Sequence, residues 1–169
     1  MGRPLMADAF AHHVWATVRV LDACLALSPE QLAKDVPGTY GSILQTLRHL
    51  VGADSSYLYA LTSGTVGVID EDRMDLAELR TVMQANGAAW SALLARDLEP
   101  DVVVVRHRDD GSESHAPLGI RLAQALHHGT DHRSQVCTAL TTLGVEPPAI
   151  DAWDFADQDG RLAEVPPPS

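Results

Sequence analysis

Lysine is nearly absent from this sequence, and positive charge is scarce overall. Lys34 is the only lysine among 169 residues, and 12 basic residues stand against 23 acidic ones, which gives a formal net charge of -11. A phosphate backbone repels a chain of this charge, and so does an anionic membrane surface. We therefore expect neither nucleic acid nor a membrane among the partners of this protein.

Apolar runs of membrane-spanning length are missing as well. No stretch approaches the ~18 uninterrupted apolar residues of a transmembrane helix, and Asp8 and His12 interrupt the segment in which a secretory leader would carry its apolar region.

Cys24 and Cys137 are the only cysteines. Each lies in an apolar helical pattern, so we interpret them as buried reduced thiols rather than as one disulfide. Together these shortages predict a cytoplasmic protein.

Helical periodicity dominates what is present. Hydrophobic residues make up 46% of the chain, enough for the core of one domain. The β-branched run Val102–Val105 and the turn-forming residues Asp109–Ser112 predict a β-hairpin over residues 102–117. Apolar residues recur at helical spacing in four segments, Met6–Leu27, Ser42–Thr62, Asp75–Asp97 and Leu118–Leu143.

These elements predict an all-α fold: an up-down four-helix bundle with a small β-hairpin inserted before the last helix. We expect the bundle domain to occupy residues 1–156. The acidic, proline-rich residues 157–169 are predicted to form a flexible C-terminal tail.

Histidine is present in excess, with eight residues against three tryptophans, three tyrosines and two phenylalanines. Each residue of an α-helix is rotated by about 100° from the one before it. On this geometry His132 lies within the apolar face of the fourth predicted helix, His128 lies at the rim of that face, and His127 points away. Two imidazoles four residues apart on a bundle-facing side can bind one metal ion, whereas leaving their nitrogens buried and unsatisfied is costly.

A third ligand has to come from another helix. His49 is the leading candidate, because its face of the second predicted helix carries small residues that leave room for a pocket. Solvent exposure of that face is the alternative. His13 lies in the apolar stripe of the first helix and either lines the pocket or is a packed core histidine. We interpret the remaining four histidines as surface residues: His12, His107, His115 and His127.

Two common metal motifs are absent from the predicted helices. No glutamate precedes a histidine by three residues, as the di-iron motif of helical bundles requires. The His-Glu-x-x-His motif of zinc proteases is also missing. A single mononuclear site is therefore the better interpretation.

The segment His128–Gln135 resembles the His-x-x-x-His-Arg-Gly-Gln signature of the DinB-like (YfiT-like) proteins. Ser42-Ile43 and Leu47–Leu50 are similar to the family's second-helix motif, which carries its first ligand. The resemblance extends in order along nearly the whole chain, including the hairpin before the last helix. It departs at Asp131, where many members have another histidine, and at Ser134, which replaces a glycine. Neither position is a ligand position.

The resemblance implies a four-helix bundle, commonly a homodimer. It also implies that His49, His128 and His132 hold one divalent ion, often zinc or nickel. Related members act as thiol S-transferases and isomerases that use mycothiol, bacillithiol or glutathione.

Three neutral imidazoles leave open positions on a divalent ion, which is typical of a catalytic rather than a structural site. The leading hypothesis is a metal-dependent transferase whose ion activates a low-molecular-weight thiol for attack on an electrophile. Gln135 and Arg133 are candidates for contacts to the ligands or the substrate, although for Arg133 we favour a surface charge. The alternatives are a metal-dependent hydrolase and a non-catalytic metal-binding stress protein.

Overall fold

Four long helices form the framework of the protein. The structure is a computed structural model and describes residues 4–108, 110–165 and 167. Helices α1 (Ala7–Cys24), α3 (Ile43–Leu61), α4 (Leu76–Leu94) and α5 (Leu118–Thr142) pack as a bundle. A hairpin of β1 (Val103–His107) and β2 (Glu113–Pro117) precedes α5. The predicted fold class is confirmed.

Three short elements were not predicted from the sequence. Helix α2 spans Pro29–Ala33, a 3₁₀ turn spans Glu71–Arg73, and helix α6 spans Ala152–Gln158. The predicted β-turn includes Asp109, which lies outside the described residues, and Gly111 in that turn has a φ of 80°. Within the described residues, every helix falls short of the length and apolar character that a bilayer-spanning segment needs.

Local capping chemistry explains where α3 and α4 begin. The Ser42 side chain accepts a hydrogen bond from the Gln45 backbone, and the Gln45 side chain accepts one from the Ser42 backbone. Asp75 and Glu78 form the same reciprocal pair at the start of α4. Each pair satisfies backbone N–H groups that have no partner within the helix. The helix starts predicted at Ser42 and Asp75 are therefore confirmed.

The bundle core consists of two apolar clusters separated by a polar layer. Each long helix contributes apolar residues to both clusters; on α3, for example, Val51 belongs to one and Leu58 to the other. The polar layer consists of the buried polar residues that lie between these positions along each helix. They are His13 and Thr17 on α1, Asp54 and Ser55 on α3, Asn86 on α4, and His132 and Arg133 on α5.

The hairpin is fixed to α5 by one buried arginine. Arg121 donates hydrogen bonds from its guanidinium to the backbone carbonyls of Val104 and Ser114, at 2.8 and 2.6 Å. These two carbonyls lie on opposite strands, so a single side chain holds both strands against the helix.

Helix α6 packs against α1 and runs past the domain boundary predicted after residue 156. The rings of Phe155 and Trp15 lie 5.4 Å apart. Arg161 forms a 2.9 Å ion pair with Asp8, so residues following α6 also contact α1.

The predicted surface position of His12 is wrong: the ring is half-buried and donates a 2.8 Å hydrogen bond to the carbonyl of Ile150.

Candidate metal centre

Three histidines from two adjacent helices meet at one point. His128 and His132 project from successive turns of α5, and His49 projects from α3, which packs against α5. The Nε2 atom of His128 lies 3.1 Å from Nε2 of His49 and 3.1 Å from Nε2 of His132. One nitrogen from each ring lies within 4.8 Å of the others. The structure therefore brings together the three histidines that the sequence singled out.

These separations fit a shared divalent ion. Two nitrogens bound at about 2.1 Å, with an angle between roughly 90° and 110° at the ion, lie roughly 3.0–3.4 Å apart. The observed 3.1 Å falls within that interval. Three converging imidazole nitrogens are a donor set suited to divalent transition-metal ions. The triad is thus placed to bind one metal ion.

Gln135 sets the orientation of the His132 ring. Its Oε1 atom lies 3.0 Å from Nδ1 of His132 and 3.0 Å from the backbone nitrogen of Tyr40. A backbone N–H can only donate, so the amide presents its oxygen, and His132 must donate to it from Nδ1. The Nε2 lone pair of His132 is then free and faces the other two rings.

Burial and mutual proximity favour the neutral forms of His49 and His128 by lowering their pKa values. Desolvation, followed by the proximity of His132 and His49, lowers the pKa of His128 to about 4. The pKa of His49 is also lowered, by desolvation and then by His132. Because the neutral imidazole is the form that binds metal, both rings are available as ligands at neutral pH without losing a proton.

Tyrosine rings contact the triad, and a cavity borders one of its histidines. Tyr40 stacks on His49 with ring centroids 4.3 Å apart, and Tyr57 meets His128 edge-on at 5.8 Å. A cavity of about 460 Å³ borders His49 on the side of Glu71, and neither His128 nor His132 lines it. The residues lining this cavity are Tyr40, Gln45, Arg48, His49, Glu71 and Asp72.

His13 and Arg133 lie in the polar layer rather than in the triad. Arg133 is only 3% exposed, so the favoured interpretation as a surface charge is wrong. Its Nη1 atom donates to Nδ1 of His13 at 3.0 Å, and Nε2 of His13 in turn donates to Asp54 at 2.9 Å. Burial lowers the pKa of Arg133 to about 10, so the guanidinium remains charged at neutral pH.

Asp54 is the main residue that sequence reasoning missed. Its buried carboxylate accepts hydrogen bonds from His13, from Nδ2 of Asn86 at 2.9 Å, and from Nε1 of Trp90 at 3.1 Å. A signal was available, because Asp54 follows Val51 by three residues and precedes Leu58 by four, which places it on the apolar stripe.

Arg133 carried a comparable signal. On α5 it points within about 20° of the direction of Leu140, a fully buried residue.

Of the histidines interpreted as surface residues, three are exposed: His107, His115 and His127. His107 and His115 pair with Glu113 on the hairpin, at 3.0 and 2.8 Å.

One comparison with known proteins identifies the family of this chain. No curated protein matches the chain. A family model, described as the DinB family, matches residues 1–164. The match spans all four long helices and the hairpin, and it includes each histidine of the triad. On this evidence the chain belongs to the DinB family.

Proposed function

We propose that this protein is a metal-dependent thiol S-transferase. In this proposal His49, His128 and His132 bind one divalent ion, zinc or nickel, and a low-molecular-weight thiol such as mycothiol, bacillithiol or glutathione is the co-substrate. The observation that supports it is the convergence of three imidazoles, from α3 and α5, within 4.8 Å of one another. Three protein ligands leave coordination positions for a substrate, whereas structural zinc sites have four protein ligands.

A divalent ion in this site would act as a Lewis acid that lowers the pKa of a thiol in an open position. The protein's own residues provide the rest of the site. Gln135 holds His132 with its lone pair toward the centre, and Tyr40 covers one face of His49.

The overall reaction is a nucleophilic substitution in which the thiol sulfur replaces a leaving group on carbon. The thiol loses its proton to solvent, its sulfur forms a bond to the electrophilic carbon, and a leaving group departs with the electron pair of the broken bond. No oxidant or reductant is consumed. As the family resemblance implies, we propose that the protein acts as a homodimer. From the composition we propose that it does so in the cytoplasm.

A conjugation assay tests the proposal. Zinc- or nickel-loaded protein is incubated with each of the three thiols and a panel of electrophiles, and the conjugate is quantified by mass spectrometry. We expect a conjugation rate above the uncatalysed reaction with at least one pair, and a loss of at least tenfold in His132→Ala. The matched control is His127→Ala, which removes an exposed histidine from the same helix and should retain full activity.

The alternatives give different results in the same assay. Metal-loaded protein that hydrolyses an ester or amide but conjugates no thiol would indicate a hydrolase. Loaded, folded protein without turnover on any substrate would indicate a non-catalytic metal-binding protein. Either result contradicts the transferase proposal.

A further inference from the structure

A carboxylate lies behind the ring of His49, on the side away from the other two histidines. Oε1 of Glu71, in the 3₁₀ turn, is 4.0 Å from Nδ1 of His49. Nε2 of the same ring faces His128. Within the described part of the chain, Nδ1 of His49 makes no hydrogen bond. Both side chains are about one-third exposed, at 32% and 34%.

The position of Glu71 depends on a glycine inside α3. Gly52 follows His49 by three residues and therefore lies on the same side of the helix, one turn later. A Cβ atom at Gly52 would overlap the carboxyl group of Glu71. The carboxylate thus occupies the space that any other residue would fill with its own side chain. A glycine within a helix costs roughly 0.5–1 kcal/mol of helix stability relative to alanine. The close approach of the Glu71 carboxylate to the α3 backbone therefore lowers the stability of that helix.

The chemistry of metal-binding imidazoles gives this carboxylate a role. A ring that offers its Nε2 lone pair to an ion carries its proton on Nδ1, and that N–H commonly donates to a carboxylate or carbonyl group. His132 has such an acceptor in Gln135. For His49 the corresponding group is Glu71. If the distance between Oε1 of Glu71 and Nδ1 of His49 shortened by about 1 Å, the two atoms would be at hydrogen-bonding distance.

We infer that Glu71 is a positioning residue for His49: held in the space above Gly52, its carboxylate accepts a hydrogen bond from Nδ1–H and so leaves Nε2 free to bind metal. The inference rests on the proposed metal centre. It assigns a role to the 3₁₀ turn, which joins the site through this contact with α3.

Two variants remove the carboxylate by different routes. Glu71→Ala deletes the carboxylate. Gly52→Ala displaces it from its position beside His49 but keeps the chemical identity of every polar side chain in the site. Gly52→Ala also favours the helix, so loss of folding is not its expected outcome. The matched control is Asp72→Asn, which changes the charge of the next residue in the same turn and lines the same cavity.

The first measurement is the tautomer of His49 in metal-free protein, read from the ¹⁵N chemical shifts of its ring. We expect the proton on Nδ1 in the wild type and in Asp72→Asn, and a shift toward Nε2 protonation in Glu71→Ala and Gly52→Ala. A wild-type His49 protonated on Nε2, or folded Glu71→Ala and Gly52→Ala variants with unchanged shifts, would overturn the inference.

The second measurement is the affinity for Zn²⁺, determined by competition with a chromophoric chelator. We expect Glu71→Ala and Gly52→Ala to bind about 10- to 100-fold more weakly than the wild type, with Asp72→Asn within about twofold. Wild-type protein that binds no zinc overturns the metal centre itself. Tight wild-type binding with unaltered affinity in both variants overturns only the role of Glu71.

Discussion

At the scale of single residues, the direction of each hydrogen bond explains the polar groups in the bundle. Arg133 can only donate, so Nδ1 of His13 must accept, and Nε2 of His13 is then free to donate to Asp54. Asp54 ends this chain of contacts as an acceptor for three donors. A buried cation and a buried anion are thus joined through one neutral imidazole.

The first prediction concerns Asp54→Asn. An asparagine would turn an N–H toward one of the donors and would remove the negative charge that offsets Arg133. We expect the free energy of unfolding, measured in urea, to fall by about 2–4 kcal/mol. The exposed control Asp101→Asn should change it by less than about 0.5 kcal/mol. A loss below 1 kcal/mol for Asp54→Asn, on the order of a surface change, would contradict the network.

The second prediction concerns pH and the metal-free protein. The pKa of His128 is about 4 in the folded protein, against 6.5 for an ordinary histidine side chain. Between these values the unfolded chain binds the proton and the folded chain does not, so the free energy of unfolding falls as the pH drops from 6.5 toward 4. One proton gives a slope of at most about 1.4 kcal/mol per pH unit.

Urea denaturation at several pH values measures this slope. His128→Gln should make it shallower, since the variant lacks the titrating ring, and the exposed control His127→Gln should leave it unchanged. Identical slopes for wild type and His128→Gln would show that His128 does not carry the effect.

At the scale of elements, the sequence predicts a structural feature well when the contacts that form it join residues close together in the chain. The starts of α3 and α4 depend on side chains three residues apart, such as Ser42 and Gln45, and the sequence displays these directly. The 3₁₀ turn has three residues and is held by contacts with α3, so no periodic pattern marks it. Helix α6 has a local start signal in the reciprocal pair Asp151 and Asp154, but its seven residues are too few to show an apolar period.

The same distinction applies to the site. The spacing of His128 and His132 is local, but the buried partners of Arg133, His13 and Thr17, come from another helix.

The third prediction concerns the close approach of α1 and α5. A Cβ atom at Gly129 would overlap the ring of His13, which lies directly against the α5 backbone. We expect Gly129→Ala to lower the free energy of unfolding by about 1–3 kcal/mol, even though alanine favours a helix. Thermal or urea denaturation measures the change, with the exposed Ser134→Ala on the same helix as the control. A variant as stable as the wild type would show that His13 moves away without cost.

At the scale of the whole molecule, the metal centre and the polar layer meet on α5. His128, His132 and Arg133 lie within two turns, the histidines facing α3 and the arginine facing α1. The scarcity of positive charge is consistent with this arrangement, because a bound dication would offset two of the 11 net negative charges. The local field at the site would then be set by the cation rather than by the acidic surface.

Elemental analysis of untagged protein tests the central claim most directly. We expect close to one zinc or nickel ion per chain in the wild type and in the control His127→Ala, and a loss of most of that metal in His49→Ala and in His132→Ala. Full metal content in both of the latter variants would contradict the three-histidine centre.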